Sequence, residues 1–273
     1  MLTTNQIKDF SKLLKINTSV VAREYIQTLF LKELYEESYS KNIFFKGGTA
    51  IRLIFNGTRF SEDLDFTVVG NLRNFEIFII NFYKRLTKQY NFSFKRRKTI
   101  TGIKYLLTAN LKSIDYKIFV NLDFSFREKV LRPIRSVITT IYPLIFTSFV
   151  NHLSLEEIEA EKIRALLTRD KGRDIYDLWF LLSKNIVIDK HLVEEKLKYY
   201  KIDKFEPIKL IEKINKFSRE KFVLDLRPFV PINEREKLST FFEYTITFLK
   251  NNLTRVLSNP IMSMKPNFKN QQD

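Results

Sequence analysis

Six glycines serve the 273 residues of this chain, and three of them, Gly47, Gly48 and Gly57, fall within eleven positions. No other feature limits the possible folds as much. Ile43-Phe44-Phe45 is a short apolar run of the kind that forms a buried strand. It stops at Lys46-Gly47-Gly48, and the following 49–55 segment reads as a helix that turns Ile51, Leu53, Ile54 and Phe55 inward. A strand running through a Gly-Gly turn into a helix leaves backbone N–H groups unobstructed at a helix N-terminus, which favours anions. A Gly-Gly pair alone is more often an ordinary tight turn. Two carboxylates a short distance down the chain give this one more meaning.

Residues 63–69 alternate carboxylate and apolar side chains, the pattern of a half-buried strand. Asp63 and Asp65 then share one face, about 6–7 Å apart by strand rise, while Leu64 and Phe66 face the core. Paired carboxylates repel and raise each other's pKa unless a cation lies between them. Such hard oxygen ligands suit Mg²⁺, which also takes substrate phosphates. Asp123 sits in the apolar run Phe119-Val-Asn-Leu-Asp-Phe124, where a charge needs a reason. Three carboxylates on adjacent strands can hold two metal ions for in-line displacement at phosphorus. Taken singly, each has a plainer reading: a solvated sheet edge for Asp63 and Asp65, an ion pair with Lys117 or Arg127 for Asp123.

Helical spacing covers 4–15, 19–40 and 75–90, and strands are expected at 92–98, 104–111 and 116–124. The result is a helix-flanked sheet of about five strands. Beyond residue 130, Pro133 and Pro143 punctuate an irregular stretch. Ser154 and Glu157 have capping-box spacing and open a helix to about Arg169. Gly172 breaks it, and helices follow at 173–182, 190–200, 207–218 and 234–251. The fold class is α+β: a mixed sheet flanked by helices over 1–140, a helical domain over 141–260, and a disordered tail at 261–273. His152 and His191 read as surface or capping residues, and Trp179 as core.

Lys and Arg number 47 against 31 Asp and Glu, a net charge of +16. Residues 81–120 hold ten basic residues and one acidic residue, more than half of that surplus. This segment is either a solvated basic face or a phosphate-binding ridge built from Lys84, Arg85, Lys88 and residues 95–98, seating a nucleic acid. A hydrophobic fraction of 44% excludes a disordered polycation. Without cysteine there is no disulfide framework, thiolate zinc site or cysteine nucleophile. No apolar run nears the roughly 18–20 residues of a spanning helix, and the N-terminus lacks a leader pattern. A cytoplasmic protein without membrane association is expected.

Lys46-Gly-Gly-Thr-Ala-Ile-Arg52 with Arg59-Phe-Ser-Glu-Asp-Leu-Asp-Phe66 resembles the first motif of the AbiEii toxin family. That family is a branch of the DNA polymerase β-type nucleotidyltransferase superfamily and the toxin half of type IV toxin–antitoxin and abortive-infection systems. The fourteen residues between Gly48 and Asp63 slightly exceed the superfamily's usual gap. Glu161-Lys-Ile-Arg-Ala-Leu-Leu-Thr-Arg169 and Gly172-Arg-Asp-Ile-Tyr-Asp-Leu178 resemble the family's later motifs.

The resemblance implies a polymerase β-like N-terminal domain and transfer of a nucleoside monophosphate from an NTP to an acceptor. That acceptor would be RNA, tRNA in particular, seated on the 81–120 segment. A separate antitoxin protein is also implied. Asp63, Asp65 and Asp123 would be catalytic and bind Mg²⁺, with Mn²⁺ as substitute. Gly47, Gly48, Thr49 and Ser61 would cradle the triphosphate. Lys162 and Asp174 would serve nucleotide handling and catalysis, with Arg169 as a neighbouring phosphate ligand. Helical spacing puts Lys162, Leu166 and Arg169 on one face, so two cations would point the same way, toward a triphosphate or toward Glu161, Asp170 or Asp174. Two other functions fit the same residues: a kinase-like phosphotransferase, and a non-catalytic RNA-binding protein with a degenerate site.

Overall fold

The computed structural model describes residues 1–99, 102–111 and 115–258. The proposed tail at 261–273 and Lys112 of the basic segment lie outside them. The chain opens with α1 (Thr4–Leu14), α2 (Thr18–Tyr35), β1 (Ile43–Lys46), α3 (Gly47–Ile54), β2 (Leu64–Val68) and α4 (Leu72–Tyr90). Strands β3 (Phe92–Arg97), β4 (Ile103–Ala109), β5 (Ile118–Ser125), β6 (Pro133–Ser136) and β7 (Val150–Leu153) follow. The remainder is helical: α5 (Leu155–Thr168), α6 (Gly172–Leu182), α7 (Lys190–Lys198), α8 (Pro207–Asn215), α9 (Arg219–Leu226) and α10 (Leu238–Ser258). The expected α+β class is observed.

The strands form one mixed sheet of seven in the order β3-β4-β5-β2-β1-β7-β6. The pairs β2–β5 and β1–β7 are parallel and the others antiparallel. The expectation of about five strands missed β6 and β7, which lie in the stretch read as irregular. Each has only four residues and lacks an apolar run like that of β1, and β7 is held by pairing with a strand about a hundred residues earlier. All four residues of β7 are buried. That corrects the reading of His152. Its ring is fully enclosed, with Nδ1 2.8 Å from the Leu153 carbonyl and Nε2 2.9 Å from the Ser136 hydroxyl.

Strand alternation divides the sheet into two faces. Leu64, Phe66, Tyr105, Leu107, Leu122 and Phe124 point to the side covered by α2 and α4. Much of the phenylalanine excess is consumed there: Phe66 stacks on Phe124 at 4.9 Å, and Phe94 on Tyr83 at 3.8 Å. The opposite face carries Asp65, Lys104, Asn121 and Asp123.

A second hydrophobic cluster joins α5 to α10, and Trp179 packs against both clusters. The halves are tied by backbone bonds, Phe60 N–H to the Phe229 carbonyl and Ile232 N–H to the Lys15 carbonyl, both 2.7 Å. Ser154 caps α5 by accepting from Glu157 N–H. The Glu157 carboxylate does not close the capping box. It accepts instead from the Leu131 and Arg132 N–H groups and from Lys196.

Candidate active site

Register builds the site. Lys46 lies opposite Asp65, Asp65 opposite Asp123, Asp123 opposite Lys104, and Lys104 opposite Arg97. Directly opposed residues share a face, so one row of charged side chains crosses five strands. Asp65 is half-buried, and no hydrogen bond reaches its carboxylate among the described residues. Burial first, then the charges of Asp63 and Asp123, push it up to about 7 against the opposing pull of Lys46 and Lys162. Asp123 pairs with Lys104 at 2.5 Å, not with the Lys117 or Arg127 considered from sequence. Asp63 stands just before β2, where its Oδ1 accepts from Asn121 at 2.9 Å. Among the described residues, no three His, Cys, Asp or Glu side chains form a ready-made metal cage.

Helix α3 begins at Gly47 itself, two residues earlier than expected. Gly47 has φ +77°, and a Cβ there would lie 2.3 Å from Asp65 Oδ2. The missing side chain therefore makes room for the carboxylate. A Cβ on Gly48 would lie 2.5 Å from Arg59 Nη2 and 3.1 Å from Ser61 Oγ, so Ser61 does stand beside the turn. Thr49 does not serve as expected. It is buried, and its hydroxyl donates to the Asp63 carbonyl, which ties the helix to the start of β2 and leaves no free hydroxyl for phosphate.

Helices α5 and α6 form the facing wall. Lys162 Nζ lies 3.0 Å from Asp174 Oδ1 and 2.7 Å from Asp177 Oδ2. Arg59 grips Asp177 with two bonds of 2.6 Å. Arg169 also reaches Asp174, at 2.7 and 3.0 Å, but not from the helix face. It follows the end of α5 with extended backbone, so the i, i+7 argument fails while the convergence on one carboxylate holds. Burial favours neutral acids here, but Arg59 and Lys162 outweigh it at Asp177, and Lys162 and Arg169 do so at Asp174; both carboxyls are held below their ordinary value. Burial also works against the Lys162 charge, and Asp177 and Asp174 keep its pKa raised.

Several participants were not singled out from sequence. Lys46 is buried beside Asp65 and bonds Glu161 at 2.9 Å and Glu128 at 3.4 Å. Burial disfavours its charge, yet those two carboxylates hold it above the ordinary lysine value. Arg127 and Arg164 both donate to the Tyr200 hydroxyl. The sequence held one signal for this group, Lys46 itself, a charge closing an apolar strand before the glycines. Gly47, Asp65, Asp123, Lys162, Arg169 and Tyr200 all line one cleft of about 270 Å³. Gly48, Thr49, Ser61, Asp63 and Asp174 are not on its lining.

The basic segment does not form one ridge, because strand alternation and helix packing split it. Arg85 pairs with Glu33 and Glu37, and Arg96 with Glu76, on the α4 side. The register sets Arg97 in the same row as Asp123.

This mixed sheet with an appended helical half is the fold of known nucleotidyltransferases. MenT4, a nucleotidyltransferase toxin from Mycobacterium tuberculosis H37Rv, superposes with a TM-score of 0.64 at 18% identity over 93% of each chain. JHP933 from Helicobacter pylori gives 0.53 at 18% identity, over 91% of this chain and all of the other. A putative nucleotidyltransferase from H. pylori gives 0.51 at 18% identity, over 88% and 99%. No curated protein sequence matches. The sequence profile of the nucleotidyl transferase AbiEii toxin, type IV toxin–antitoxin system, matches residues 29–244, and the chain belongs to that family. It is a nucleotidyltransferase toxin. Among the described residues no helix is long and apolar enough to cross a membrane.

Proposed function

We propose that the cleft transfers a nucleoside monophosphate from an NTP to a hydroxyl of RNA, tRNA in particular, in a Mg²⁺-dependent reaction. One observation carries this reading: Asp65 and Asp123 stand in register on adjacent parallel strands, with Asp65 against the Gly47 backbone at the start of α3. Burial, then the charges of Asp63 and Asp123, raise the Asp65 pKa, and a divalent cation among these carboxylates would offset that cost. The residues fit the ion. Asp65 and Asp123 would hold it, with Asp63 at the margin. Bound Mg²⁺ would supply charge neutralisation at the phosphates.

The chain's own groups do the rest. The N–H groups at Gly47 and Gly48 orient the triphosphate at the helix start. Lys162 and Arg169, each already shared with Asp174, add positive charge from the opposite wall. The acceptor oxygen bonds to the α-phosphorus as the bond to the bridging oxygen of pyrophosphate breaks. The hydroxyl proton passes to a carboxylate oxygen of Asp123. Positioning and charge neutralisation supply most of the rate. Family membership supports control by a separate antitoxin protein, and a reaction on NTP and tRNA fits a cytoplasmic location.

The test uses protein, Mg²⁺ or Mn²⁺, total RNA and each NTP labelled at the α- or the γ-phosphate. The expected product is RNA carrying α-label, lost in Asp65→Ala. Transfer of γ-label would replace this reading with a phosphotransferase. No transfer from any NTP to any acceptor would remove the catalytic reading altogether.

A further inference from the structure

The face that carries Asp123 continues outward past the cleft, over β5, β4 and β3. The register sets Lys95 opposite Leu106 and Leu106 opposite Asn121, beside the row of Arg97, Lys104 and Asp123. One step further along β5, Phe119 lies opposite Thr108 and is 48% exposed. The aromatic residues of the other face are buried under α4, whereas this ring lies open. The patch therefore holds three cations, Lys95, Arg97 and Lys104, and one open aromatic ring. The only carboxylate these three strands present on that face is Asp123. Phe119 and Asp123 are four positions apart on β5, about 13 Å at strand rise, or roughly four stacked nucleotides.

We infer that this open sheet face binds the acceptor as an unpaired RNA segment, one base stacking on Phe119 and the backbone phosphates following Lys95 and Arg97 toward Asp123. The inference rests on the RNA-acceptor reading above and adds to it the strandedness of the acceptor and the surface that holds it. An exposed ring on a β-face offers a stacking platform for any unstacked base, and flanking cations follow the backbone. The interior bases of a duplex cannot use such a ring, because they are already stacked on both faces.

The experiment measures fluorescence anisotropy of a 5′-labelled 12-nucleotide single-stranded RNA and of the same sequence as a blunt duplex. The proteins are the full chain, Phe119→Ala, and the double variant Lys95→Ala/Arg97→Ala. Circular dichroism of each verifies the fold, and calorimetric titration with NTP and Mg²⁺ verifies the nucleotide site. Phe119→Ala should bind the single strand about 5- to 150-fold more weakly, with duplex and NTP binding unchanged. The double variant should lower the slope of log affinity against log salt by about 1.4, two phosphates at roughly 0.7 each.

Equal single-strand binding by Phe119→Ala and the parent overturns the inference, as does a preference of the parent for duplex. If neither RNA binds the parent while α-label still moves to a protein or small acceptor, this inference falls and the transfer chemistry stands. If single strands bind through Phe119 but no label ever moves, the inference stands and the catalytic reading falls.

Discussion

Replacing Gly47 with alanine should damage catalysis far more than stability. Gly47 sits at φ +77°, in the left-handed region, where an L-residue costs roughly 1–2 kcal/mol. At about 2–4 °C per kcal/mol for a chain of this size, Tm should fall by roughly 2–8 °C. The new Cβ would stand 2.3 Å from Asp65 Oδ2, where ordinary contact begins at 3.4 Å. The carboxylate must therefore retreat by about 1 Å, a displacement that lowers rates on the order of 100-fold when it falls on a catalytic group. Gly70→Ala is the control. Gly70 has φ +122°, and a Cβ there meets nothing within 4 Å. It should lower Tm by a similar amount and leave transfer intact. Both variants are assayed by α-label transfer at saturating NTP and by thermal denaturation. Parent-like transfer in Gly47→Ala would refute the argument, because the clash then has no effect on Asp65. Equal loss in Gly70→Ala would refute it too, since backbone strain alone would explain the effect.

Buried charge leads to three further outcomes. Asp177→Ala leaves Arg59 and Lys162 sharing a buried site with only Asp174 nearby, and urea denaturation should show a loss of about 3–5 kcal/mol. The folded-state pKa of Asp177 is depressed, so its contribution is complete above the ordinary carboxylate pKa and is lost as pH falls through the folded value; the parent and Asp177→Ala should converge in stability in strong acid. Glu159 has the opposite sign. It is buried, both its oxygens lack partners, and burial, then Glu156 and Asp189, push it up to about 8. Its penalty is absent below pH 4.5, grows as pH rises and levels off near 8, reaching about 3 kcal/mol at pH 7. Glu159→Gln should therefore gain stability over the parent progressively between pH 5 and 8, and a gap independent of pH would contradict the assignment.

Much of the candidate site was legible before folding because it is local. The Gly-Gly pair, the alternation at 63–69 and the lone charge in the 119–124 run each announce themselves within a few residues. So did most of the helices; α9 (Arg219–Leu226), only eight residues long, was missed. Strands β6 and β7 were not legible. Nor was the burial of His152, because so short a strand without an apolar run like that of β1 is defined only by its partners. The helix-face argument for Arg169 failed for a related reason. Spacing assumes the helix continues, and α5 stops one residue short.

The sequence by itself therefore determined most of the elements, the fold class and the types of residue at the candidate site. Only the tertiary structure decided which charges meet. Asp65 and Asp123 are 58 positions apart, and their opposition is a fact of register between two strands. A shift of one residue would send either carboxylate into the core. The same holds for Lys46 with Glu161, for Arg59 with Asp177, and for the division of the basic segment between two faces. Periodicity is written in neighbouring residues and can be read there. Pairing is settled by which surfaces bury each other, and that appears only once the chain has closed.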